Sequence, residues 1–129
     1  GNMALTIQPD IIGHMDIIKK NNADNRFFDD QEPWYQEAAG ACLDKIKASG
    51  SIIEVNTGGM IRYGDRCLYP ERWLMEEILE KEIPITLNGD SHTTEGIRYA
   101  YEDVLALLKK VGFKAIMMRK KGSWAEESI

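Results

Sequence analysis

Asp90 and His92 stand two residues apart at the end of Pro84-Ile85-Thr86-Leu87-Asn88-Gly89-Asp90-Ser91-His92. Ile85 to Leu87 reads as a short buried strand, and Asn88-Gly89 as the turn that ends it. A carboxylate and an imidazole just past a strand's C-terminal end suit a hydrolytic metal site. The same residues also suit a polar loop built on an ordinary Asx turn. The chain has one other histidine, His14, which follows Asp10-Ile11-Ile12-Gly13. Chemistry that needs several histidines must therefore use both or borrow from another chain.

The elements that must position these residues alternate along the chain. Residues 10–16 read as a first strand and 17–25 as a polar loop. Carboxylates and Pro33 open a helix over about 29–49, with Trp34, Ala38, Cys42, Leu43 and Ile46 at helical spacing and Gly50 closing it. Residues 51–56 form a second strand by alternation, followed by a glycine-rich loop at 57–64 able to bring backbone N–H groups near an anion. That loop has neither GxxxxGK[ST] nor GxGxxG spacing, so a nucleotide loop is not indicated. Pro70 begins a helix with Trp73, Leu74, Ile78 and Leu79 inward. After the strand at 85–87, a helix spans about 102–111 with Gly112 as its cap, and residues 114–118 make a fourth strand. Residues 120–129 read as a polar tail.

This order, βαβαβαβ, calls for an α/β domain of parallel strands joined by right-handed crossovers. Ligands in such folds sit at the carboxyl ends of the strands. His14 leaves the first strand, Asn56 to Arg62 the second, and Asp90 and His92 the third, so one rim collects the chemistry. With strands in sequence order, however, His14 and Asp90 start roughly 10 Å apart at the backbone. A flat sheet would not bring both onto one ion.

The composition fits one soluble globular domain over 1–129: 43% hydrophobic and 29% charged, with Gly1-Asn2 before Met3 set aside as a cloning scar. A net charge of −5 argues against nucleic acid as a partner, since basic residues cluster only at Arg119-Lys120-Lys121. No apolar run approaches a membrane span, no secretory signal is visible, and Cys42 and Cys67 lack CxxC spacing; a reduced cytoplasmic protein is the simplest reading.

Four segments in register carry a resemblance. Pro9 to Lys20, with Gly13-His14-Met15-Asp16, resembles the GHxD strand of the polymerase and histidinol phosphatase (PHP) superfamily. Ile53 to Arg62 resembles its E-V-N-T strand and the arginine-bearing loop after it. Leu68-Tyr69-Pro70 resembles its YP helix start, and Asn88-Gly89-Asp90-Ser91-His92 its closing ligand motif, with Gly89 and Ser91 as small departures. The histidinol-phosphatase type of histidine biosynthesis is the nearest match, and the resemblance covers the C-terminal half of such an enzyme.

What the resemblance implies is part of a distorted (βα)7 TIM-like barrel with divalent transition metals (Zn, Mn or Fe) at its C-terminal rim. His14, Asp90 and His92 would be metal ligands, serving different ions. Asp90 would also assist near an attacking water, and Arg62 would grip the phosphate of a small monoester, histidinol phosphate by resemblance. Asp16, Glu54 and Asn56 would hold the ligands rather than bind an ion. The family's HxH motif and earlier ligands have no counterpart here. The expectation is therefore weak metal binding, little or no phosphatase activity alone, and a homo-oligomer or a separate N-terminal half to cover the open barrel. The other expectation is an inactive remnant that folds and oligomerises. A mononuclear His/His/Asp iron site and a polymerase-attached PHP domain stand further back.

Overall fold

The computed structural model describes residues 1–64 and 67–129. Its middle element is β2 (Ile52–Asn56), where Ile53 and Val55 alternate with Glu54 and Asn56. On one side β2 pairs in parallel with β1 (Ile11–Ile12), and on the other with β3 (Ile85–Asn88), giving the order β1-β2-β3. Ile12, Ile53 and Ile85 lie in register, as do Val55 and Leu87. These five are buried in the core with Leu43, Ile46, Leu74, Met75, Ile78, Val104 and Leu108 from the helices. Glu54, Asn56, Thr86 and Asn88 occupy the opposite face and supply the polar end of the sheet.

The α/β class is borne out, and three helices match the periodicity: α2 (Pro33–Ser49), α4 (Arg72–Glu80) and α5 (Tyr101–Val111). Gly50, at φ 75°, ends α2 in the left-handed region that glycine enters at no steric cost. Within α2 the inward aromatic is Tyr35, stacked on Phe28 with ring centroids 5.0 Å apart, while Trp34 stays exposed. Asn2 opens a short α1 (Asn2–Ile7) and accepts a hydrogen bond from Lys45, so these first residues take part in the fold.

The structure corrects the sequence reading in four places. The first strand is two residues long, because the chain turns away at Gly13 and His14. The glycine-rich stretch after β2 is helical: α3 runs Gly58–Tyr63. The fourth strand, β4 (Ala115–Lys120), does not join the parallel sheet; it approaches β3 but forms its ladder with β5 (Ser123–Ser128). The supposed polar tail is therefore β5, antiparallel to β4 across a two-residue turn at Lys121 and Gly122, both at positive φ. A three-stranded parallel sheet plus a hairpin thus replaces the expected four parallel strands. No helix among the described residues is long and apolar enough to cross a membrane.

Candidate functional site

The rim at the ends of β1, β2 and β3 holds a cleft of about 330 Å³ lined by His14, Lys20, Arg62, Tyr63, Asp90 and His92. His14 and Asp90 are each the second residue past a strand, and both sit at positive φ, 50° and 41°. Histidine and aspartate tolerate this region better than bulkier residues. The two turns aim the side chains across the end of β2, and His14 Nε2 comes within 3.4 Å of Asp90 Oδ2. The strands do lie in sequence order, yet the side chains meet. The expected separation of the two residues is overcome at the turns rather than in the sheet.

Asp90 is the junction of the cleft. Its Oδ2 accepts a hydrogen bond from Arg62 Nη2 at 3.1 Å, and its Oδ1 lies 3.6 Å from His92 Nε2. Burial would raise the Asp90 carboxyl, but hydrogen bonds and charge from Arg62 and His14 outweigh it and hold the group below the usual carboxylate range. His92 is the most open member, with 69% of its side chain exposed. Lys20 rests its ammonium 4.8 Å from the Tyr63 ring centroid and adds a second full positive charge to the cleft wall.

Glu54 lies beneath this group with only 12% of its side chain exposed. Its Oε2 accepts from the His14 backbone N–H at 3.3 Å and from Asn56 Nδ2 at 3.1 Å, and its Oε1 accepts from Asn88 Nδ2 at 2.9 Å. Asn56 in turn accepts the Gly58 N–H at 2.9 Å. Asp16 turns the other way. It accepts the Glu71 N–H at 2.8 Å at the start of α4 and pairs with Lys19 at 2.9 Å. Of the seven residues singled out from the sequence, the structure gathers six at the rim and sends Asp16 to this neighbouring cluster.

Lys20 and Tyr63 on the cleft wall and Asn88 beneath it escaped the sequence reading, as did the role of two glycines. A Cβ on Gly58 would stand 2.6 Å from Gly89 O and 2.8 Å from Asp90 Cβ, so Gly58 makes room for the turn that carries Asp90. Gly59 makes similar room for Tyr69. The paired glycines were a visible signal, but the demand they meet is close packing between two strand ends.

The donor types match transition-metal chemistry, with imidazole nitrogens and carboxylate oxygens together. Their number does not. Asp90 and Glu54 face opposite nitrogens of the His14 ring, Nε2 and Nδ1, and His92 faces the other oxygen of Asp90. Any one ion would find about two donors, against three protein ligands in a hydrolytic zinc site, and Arg62 already engages Asp90 Oδ2. No group of three or more His, Cys, Asp or Glu placed to hold a metal occurs among the described residues. As a self-contained metal centre, these residues do not fit.

Comparison with known proteins points in one direction. A histidinol-phosphatase of Bacillus subtilis (strain 168) is 26% identical over 98 residues, 76% of this chain and 36% of the relative. Probable histidinol-phosphatases of Schizosaccharomyces pombe and Deinococcus radiodurans are 29% and 28% identical over 119 and 112 residues. These matches cover 90% and 87% of this chain, and 38% and 40% of the relatives. The chain is a distant relative of histidinol-phosphatases. It spans about two-fifths of their length. No family model matches it. The relationship was legible in the motifs around His14, Glu54 and Asp90, the residues that the fold assembles at one rim.

Proposed function

We propose that this chain carries the phosphate-facing part of a phosphoesterase centre of the histidinol-phosphatase type, acting on a small phosphate monoester, with histidinol phosphate as the named substrate class. The observation that supports it best is the meeting of Arg62, His14 and His92 around one carboxylate, Asp90, in a cleft with Lys20 on its wall. Arg62 offers a planar fork matched to phosphate oxygens, and the two imidazoles offer hydrogen bonds to the same group. Divalent transition metals belong to this reading only with ligands from outside the 129 residues, because His14, Asp90 and His92 leave each ion short of donors. In the same reading, the three-stranded sheet is an arc of a (βα)7 barrel whose remainder comes from a separate segment or from another copy. The free cysteines Cys42 and Cys67 suit a cytoplasmic setting.

An inactive remnant is the competing reading, favoured by the ion pair in which Arg62 already occupies Asp90. Titration separates the possibilities. Inorganic phosphate should shift the NMR signals of Arg62 and His92 in the parent chain and not in R62A. Zn²⁺ or Mn²⁺ should bind weakly by calorimetry, and hydrolysis of a phosphate monoester should stay near the uncatalysed rate. No response to phosphate would overturn the phosphoesterase reading. Tight binding of several ions would overturn the dependence on outside ligands.

A further inference from the structure

We infer that Glu54 is the positioning residue of the cleft: it ties the ends of all three parallel strands together and so sets the encounter of His14 with Asp90. The inference rests on the phosphate reading above and extends it to a residue outside the cleft wall.

β1 ends with Ile12 opposite Ile53, whereas β3 ends with Asn88 opposite Asn56, so the two strands leave the sheet at different heights along β2. Pairing alone would send His14 and Asp90 away at different levels. Glu54 lies between those levels on the polar face. One carboxylate oxygen holds the backbone of His14, and the other holds the side chain of Asn88, two residues before Asp90. The third bond, from Asn56, is fixed in direction because the Asn56 oxygen is committed to the Gly58 N–H. Gly58 is the residue packed against the Asp90 turn. Each spoke from Glu54 therefore ends at a segment that places His14 or Asp90.

Charge and burial agree with this role. A carboxylate with little solvent exposure is costly unless its oxygens are hydrogen-bonded, and Glu54 receives three donors from three strand ends. The side chain could not be shortened without dropping one side, since its two oxygens face different strands. Glutamine could be accommodated: its oxygen can take the His14 and Asn56 donors, while Asn88 turns its amide to meet the new NH₂ group. Neither the backbone N–H of His14 nor the committed amide of Asn56 can make that adjustment.

The test compares E54A, E54Q and N88A with the parent chain, using inorganic phosphate as the probe and the His14 ring resonances as a second readout. E54A should bind phosphate about tenfold more weakly, the scale of loss expected when reacting groups drift by a fraction of an ångström. E54Q should recover most of that loss. N88A should lose a smaller part, although Asn88 does not line the cleft. The His14 ring signals should move in E54A and return in E54Q. Phosphate affinity in folded E54A within twofold of the parent would overturn the inference, and so would an E54Q no better than E54A. If E54A does not fold, N88A decides, and unchanged His14 signals in folded N88A defeat it. If the parent binds no phosphate, the phosphoesterase reading falls, while the His14 signals still decide the role of Glu54.

Discussion

Asp16 and Asp90 each face a cation just beyond a strand, and the surroundings give them opposite uses. Asp16 is 4% exposed and Lys19 10%; the Lys19 ammonium also meets Leu68 O at 2.7 Å, Glu71 at 3.1 Å and the face of Tyr69. Asp90 and Arg62 are each about one-third exposed and open onto a 330 Å³ cleft with His92 beside them. The first cluster joins the turn after β1 to the start of α4, and its ammonium is engaged by protein groups on several sides. The second leaves coordination capacity facing water. An ion pair becomes structural when the chain closes around it, and it becomes a candidate site when the chain stops short.

Breaking the closed cluster should have the largest effect. D16A leaves the Lys19 ammonium short of a buried partner and removes the acceptor for the Glu71 N–H. A loss of about 3 kcal/mol is expected for one broken member of a buried pair. Urea unfolding of D16A beside D90A measures the contrast: equal losses would erase the distinction between the two clusters.

A smaller effect should come from G58A, which tests the route by which the open cluster is assembled. The added methyl would press on Gly89 O and Asp90 Cβ, and relief requires a shift of the Asp90 turn. Overpacking of this kind costs about 2 kcal/mol. The decisive measurement is the Arg62 guanidinium signal, which should lose its Asp90 partner in G58A. A destabilised G58A whose Arg62 signal is unchanged would show that Gly58 serves packing alone.

The sequence disclosed local features better than distant ones. β2 and β3 were readable because Ile, Val and Leu repeat over four or five residues, and the rim positions of His14, Asp90 and His92 followed from where those strands end. α3 was hidden because Gly58-Gly59 argue against a helix by propensity; packing of Gly59 under Tyr69 and of Gly58 against Asp90 overrides that preference. β5 was hidden because Glu126, Glu127 and Ser128 read as tail. Its signal was Lys121-Gly122, a two-residue hairpin turn that the polar run concealed. The Arg62–Asp90 pair and the Glu54 bonds to His14 and Asn88 join residues 28 to 40 positions apart, which no local period encodes. Asp16 was drawn from the rim by Lys19, three residues on, and by a helix start that forms only in the folded chain.

The smallest expected effect is also the sharpest contrast, because the clusters should respond to acid with opposite signs. Asp90 is held below its usual range: burial opposes ionisation, but Arg62 and His14 prevail. Its folded-state value lies below the unfolded one, so its contribution to stability is present above about pH 4 and is lost as pH falls through the folded value. Glu71 is raised: burial pushes it up, Lys19 pulls it back, and the Asp30 carboxyl adds to the rise. Its contribution is present below the unfolded value and is lost as pH rises through the folded one. Chemical unfolding from pH 3 to pH 7 should therefore show the advantage of the parent over D90N growing with pH. The parent's standing against E71Q should decline over the same range. Both groups are partly exposed, so each change should stay below about 1 kcal/mol. The slope carries the information, because the constant offset of each substitution includes lost contacts that do not titrate. Parallel slopes in the two variants would mean that the closed and open clusters do not differ in electrostatics, only in how much of the chain surrounds them.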